Sequence, residues 1–186
     1  MKILQEINLL EEKKTATLLN IMSIVMLFVF LGIFGFIALL KISENVTSGE
    51  INIIELIAIL PVLLIILGIH EGIHGIFFKL FCPENKVKFG VILKSGMLYA
   101  TSPGSIYTRF QMITIALAPF VVLTMVLTIL YSFHVISPMI YVLLVSIHAS
   151  GCVGDFYYTC ILAFKFKEKK IMVEDTDKGI TIYQAS

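Results

Sequence analysis

Four apolar blocks dominate the chain, at residues 18–40, 52–82, 110–133 and 136–164. Each supplies the run of about 20 apolar residues that crosses a bilayer as a helix. Within hydrocarbon, every backbone N–H and C=O must be paired inside the protein, so helices are the economical form for all four. Charged residues gather instead in the first 14 positions, in the connections and in the tail. With 58% hydrophobic residues, a chain of 186 lacks the polar surface that a soluble domain of this size needs. The expected fold class is an all-α polytopic membrane protein of about four transmembrane helices, forming one domain over 1–186.

The basic residues orient it. Lys2, Lys13 and Lys14 precede the first block; Lys79, Lys86, Lys88, Lys94 and Arg109 surround the second connection; Lys165, Lys167, Lys169, Lys170 and Lys178 follow the fourth. Only Lys41 falls in the first connection, and none falls in the third. Basic residues favour the cytoplasmic side, so the chain is expected in the cell membrane as a multi-pass protein with N- and C-termini cytoplasmic. The first block is too long for a signal-peptide core and no small-residue cleavage site follows it, so it reads as a retained anchor. A net charge of +1 gives no support for a nucleic-acid partner. Cys82, Cys152 and Cys160 are odd in number and lack C-x-x-C spacing, which argues against a disulfide framework. Nothing in the sequence specifies an oligomeric state.

The connections carry weaker signals. Residues 1–17 read as a short cytoplasmic lead, an interfacial helix with Ile3, Ile7 and Leu10 on one side. Residues 42–51 form a polar external loop. Between the second and third blocks, Val87, Phe89 and Val91 alternate with Lys86, Lys88 and Gly90. Lys94-Ser95-Gly96 offers a turn, and Met97–Thr101 resumes the extended pattern. The expectation is a small cytoplasmic β-hairpin: a plain connector, or an edge strand that captures an extended substrate by β-addition. The tail, 165–186, contains a second extended pair, Ile171–Glu174 and Ile180–Tyr183, around Asp175-Thr176-Asp177-Lys178-Gly179. The lysines at 165–170 read as a stop-transfer anchor, and Arg109 as an interfacial one.

Chemistry concentrates in the second block, where His70-Glu71-Gly72-Ile73-His74 is an H-E-x-x-H sequence. On a helix, residues four apart stand about 40° apart round the axis and one turn along it. Both imidazoles can then reach one zinc ion, while Glu71 can act on its water. Three adjacent polar side chains at membrane depth need a reason, since each costs roughly 2.5–3.5 kcal/mol on insertion scales. Gly68, Gly72 and Gly75 fall on the opposite side, where they either allow another helix to approach or merely lower the bulk of this one. Pro61 either starts the buried part of this helix or kinks it.

A second polar face lies in the fourth block. His148, Cys152 and Asp155 are spaced i, i+4, i+7, with Gly151 beside them. Two polar faces in lipid are resolved if they meet across a shared metal. A catalytic zinc takes three protein ligands and keeps one open position. His70 and His74 supply two; Asp155 is the preferred third, with His148 and Cys152 as competing donors. His148 is otherwise assigned to the substrate or its oxyanion, and Cys152 to helix packing. His134, in the third connection, reads as solvated.

The ordered set His70-Glu71-Gly72-Ile73-His74, Lys86-Val87-Lys88-Phe89-Gly90-Val91, Ala116-Leu117-Ala118-Pro119-Phe120 and Gly151-Cys152-Val153-Gly154-Asp155 resembles the Putative zincin peptidase family. These are small prokaryotic membrane proteins, and the resemblance spans about residues 60–185. That family is similar in layout to site-2 proteases. The resemblance implies His70, His74 and Asp155 as zinc ligands and Glu71 as the catalytic base. The chain departs from the site-2 pattern: the usual Asn-x-x-Pro before an Asp-Gly pair is absent, and the order is Gly154-Asp155.

The expected function is a zinc-dependent intramembrane or membrane-proximal peptidase acting on a membrane-protein or peptide substrate from within the lipid bilayer. The alternative is a non-catalytic zinc-binding protein that regulates or protects a membrane partner. A metal or proton pathway ranks last, because the polar residues sit at one depth rather than along a route.

Overall fold

Runs rich in Leu, Ile, Val and Phe build the three longest described elements. They are α1 (Lys13–Lys41), α2 (Ile53–Phe81) and α3 (Arg109–Ser132), all long and apolar enough to cross a membrane. A fourth stretch of that length is α4 (Pro138–Gly151) followed by α5 (Val153–Cys160) and a π-helical turn at Ile161–Lys165. The computed structural model describes residues 2–8, 12–41, 53–92, 97–166, 170–177 and 179–185. The loop expected at 42–51, Leu10, the Lys94-Ser95-Gly96 turn, Lys167, Lys169 and Lys178 lie outside the described residues, as does the side chain of Glu55.

The helix boundaries follow local chemistry. Thr108 caps α3 with a reciprocal capping box: its side chain accepts from the Gln111 N–H, and the Gln111 side chain accepts from the Thr108 N–H. Ser137 caps α4, with Pro138 in the first turn, where a missing N–H costs nothing. Between them His134 takes a left-handed φ of 58° and is exposed, as its polar connection suggests. The expected single span at 136–164 is instead bent by 45° at Cys152. There the backbone leaves helical geometry (ψ 11°) and the Cys152 N–H turns back to the Ala149 carbonyl at 3.2 Å.

The helices share an inner core in which Phe34, Ile66, Leu127, Tyr131, Tyr141 and Val145 meet. Tyr131 and Tyr141 stack with centroids 4.5 Å apart, and the Tyr131 hydroxyl donates to the Ala38 carbonyl of α1. Outward, Phe28 and Phe36 of α1, Ile57 and Ile65 of α2 and Met125 of α3 remain exposed. An apolar belt of this extent, on helices long enough to span a bilayer, suggests a membrane protein.

The all-α expectation needs correction, because a small sheet closes one end of the bundle. The N-terminal lead is a strand, β1 (Lys2–Ile7), not an interfacial helix. The tail forms β5 (Ile171–Thr176) and β6 (Gly179–Gln184), and β4 (Ile106–Thr108) precedes α3. All pair antiparallel in the order β1-β6-β5-β4, with Ile7 opposite Ile180, Val173 opposite Ile182 and Tyr107 opposite Val173. Ile7, Val173 and Ile182 bury against Phe78 of α2, Ile115 of α3 and Leu162 of the π turn. At the tightest point, a Cβ on Gly179 would stand 2.0 Å from the Ile7 carbonyl oxygen. Glycine is required there.

The hairpin between α2 and α3 is present as β2 (Lys88–Ile92) and β3 (Met97–Thr101), with Lys88 opposite Thr101. It corrects the reading of the glycines. Among the described residues, no side chain or neighbouring backbone lies within 4 Å of a Cβ built on Gly68, Gly72 or Gly151, so no described helix packs closely on them. Gly75 instead receives the ring of Phe89, which would lie 2.5 Å from its Cβ.

Candidate metal centre

α2 and α5 bring their polar side chains together beneath the hairpin. The Nε2 atoms of His70 and His74 are 3.1 Å apart. Asp155 Oδ2 lies 3.5 Å from His70 Nε2, and Oδ1 lies 3.4 Å from His74 Nε2. Four ligands round a zinc ion at its usual bond lengths are separated by about 3.3–3.5 Å edge to edge. One donor atom from each of the three residues lies within 4.8 Å of the others, compact enough to share one ion, and their two-His-one-carboxylate chemistry suits zinc. His70, His74 and Asp155 are the residues that would hold it.

Each histidine is turned by a bond from its far nitrogen. His74 Nδ1 donates to the Ile115 carbonyl of α3 at 2.9 Å. That carbonyl is available because residue 119, four positions on, is a proline inside the helix and has no N–H to give it. The Ala116–Phe120 segment thus acts on the metal centre through what Pro119 lacks. Such bonds fix the tautomer of a ligating imidazole, and losing one typically weakens metal binding 10–100-fold. Pro119→Ala restores a competing N–H. It is expected to weaken zinc binding roughly 10-fold while leaving α3 at least as helical, measured by zinc titration beside circular dichroism.

His70 Nδ1 faces His148 Nε2 at 3.2 Å, with Cys152 Sγ 4.0 Å from the same His70 nitrogen. This bears on the role first assigned to His148. Its Nε2 is taken by His70, and its Nδ1 is buried with no hydrogen-bond partner among the described residues. His148 also lines the cavity, and its one contact of hydrogen-bond length among the described side chains is with His70. The bend at Cys152 produces this: α4 delivers His148 to one nitrogen of His70, and α5 delivers Asp155 to the other.

Glu71 stands beside the three donors, and the backbone N–H of Ala100, on β3, is directed at its carboxylate. The same strand lines a cavity of about 520 Å³, which also takes in His70, Glu71, His74, Asp155 and Tyr158. Cavities of this size hold small ligands or a few residues of peptide. Arg109 is remote from it, its guanidinium donating to the Phe166 carbonyl.

The far rim of the cavity is formed by residues that the sequence did not single out as functional, Asp175 above all. Buried in β5, its Oδ2 accepts from the Thr101 hydroxyl and the Ser102 N–H, while its main chain pairs with Gly104 and Ser105. The network ties the end of the hairpin to the tail sheet. Burial raises the Asp175 carboxyl to about 6 from its ordinary 3.8, against the opposing pull of these donors. A folded-state pKa above the unfolded one means that the folded protein holds the proton more tightly. Stability from this group is full below about pH 4 and is lost as pH rises toward 6. Asp175→Asn keeps an oxygen for both donors. It is expected to flatten that decline, worth ~3 kcal/mol at most, in thermal melts across the interval.

Helices long and apolar enough to cross a membrane surround a cluster of two histidines and a carboxylate that could hold a metal ion between α2 and α5. The chain belongs to the Putative zincin peptidase family, whose sequence profile matches residues 62–170 and so covers α2 from residue 62 on, the hairpin, α3, α4 and α5. No curated protein and no solved structure matches the chain.

Proposed function

We propose that the protein is a zinc-dependent peptidase that cuts a membrane-embedded or membrane-proximal segment, with Glu71 as general base. The observation that carries this reading is Glu71 itself, placed among three zinc-type donors and beneath a strand edge. A zinc site that served structure alone would have no use for that acid.

Bound zinc would polarise the scissile carbonyl and acidify the attacking water. Glu71 takes the proton from that water as it attacks and returns it to the leaving amine. The β3 edge, with the Ala100 N–H pointing inward, suits an extended substrate laid alongside as a further strand. A helical peptide bond is shielded, so extension must precede cleavage. The thirteen-to-one division of basic residues supports an orientation with the hairpin, the sheet and both termini on the cytoplasmic side. Water would then enter from the cytoplasm.

The test is to incubate the zinc-loaded protein, in lipid nanodiscs, with a pool of transmembrane-segment peptides and to read new termini by mass spectrometry. New termini that disappear on adding a chelator are the expected result. Bound zinc with no new termini across the pool would overturn the peptidase reading and favour a non-catalytic zinc protein that binds a membrane partner.

A further inference from the structure

His70 has two nitrogens, and each faces a donor set. Beyond the one completed by His74 and Asp155, Nδ1 looks toward His148 Nε2 at 3.2 Å and Cys152 Sγ at 4.0 Å. Sγ and His148 Nε2 are 3.8 Å apart. Around one ion at ordinary zinc bond lengths, two nitrogens stand about 3.3 Å apart and a nitrogen and a sulfur about 3.6 Å apart. All three separations come within a few tenths of an ångström of these. A hydrogen bond between the two imidazoles would account for the 3.2 Å distance alone. It leaves unexplained why a fully buried thiol stands nearly equidistant from both nitrogens.

We propose that His70 Nδ1, His148 Nε2 and Cys152 Sγ form a second metal site, for a thiophilic divalent ion, joined to the first through the shared His70 ring. In the metal-free state the thiol proton is parked on the His148 carbonyl, 3.3 Å away. Loading releases that proton and, when the first site is full, the one that His70 Nδ1 shares with His148. Both leave as the ion takes their places. The His70 ring then bridges two ions as an imidazolate. A thiolate with two imidazoles selects softer ions than the oxygen-containing first site, so the two sites discriminate by ligand chemistry rather than by shape. This assignment does not depend on peptidase activity.

The full chain carrying Cys82→Ala and Cys160→Ala has Cys152 as its single thiol and is titrated with cobalt(II). The expected result is a near-ultraviolet thiolate-to-cobalt charge-transfer band and two ions per chain. Cys152→Ala removes the band and leaves one ion, His148→Gln also removes the band, and Asp155→Ala keeps it. Cobalt bound by the single-thiol protein without that band would overturn the second site while leaving the first intact. A band without the second ion, lost on Asp155→Ala, would overturn the separate site by placing Cys152 on the first.

Discussion

Glu71→Gln retains about one zinc per chain while cleavage falls by roughly 10²–10⁴, the contribution of a positioned general base. The substitution is nearly isosteric, and Glu71 is not one of the three donors compact enough to share one ion. The Ala100 N–H that faces its carboxylate can face the amide oxygen equally well. Structure and metal loading should therefore survive, and the whole loss should appear in the rate. Zinc lost together with activity would make Glu71 a ligand, and unchanged cleavage would remove it from the chemistry.

Asp155→Ala should have the larger effect on metal. Its two oxygens lie 3.5 and 3.4 Å from the two histidines, so it stands against both. Without it, two neutral imidazoles remain. Zinc binding is expected to weaken by more than ~100-fold, beyond what the loss of an orienting bond costs. His74→Ala should do the same, as two members of one site must. Asp155→Asn separates charge from shape, since the amide keeps a donor oxygen but not its negative charge, and should fall between. Zinc measured after chelator-free purification decides this, and a full complement in Asp155→Ala would move the third ligand elsewhere.

What could be read beforehand was local. The apolar blocks announce themselves by length, and His70 and His74 by a spacing that any helix turns into one face. Asp155 was visible because a second polar face in a hydrophobic segment is costly without a partner. The features that escaped depend on distant parts of the chain. β1 has an alternation that suits a strand or a helix, and the choice is made by β6, where Ile7 meets Ile180. Asp175 sits in a segment with turn chemistry, and only the approach of Thr101 and Ser102 shows it to be buried. Pro119 stood only as one letter of a motif, while its consequence is a carbonyl on Ile115 that the helix leaves to His74. His148 looked free because nothing in its own helix reveals that His70 Nδ1 would occupy it.

The tail sheet also sets an order of events. β5 and β6 follow every helix in the chain, yet Asp175, Thr176, Asp177 and Gly179 complete the cavity wall opposite α2. During synthesis, α2 and α5 can therefore bring His70, His74 and Asp155 together before that wall exists. Until then the cavity is open on one side, and the bonds from Thr101 and Ser102 to Asp175 close it as β5 docks beside the hairpin.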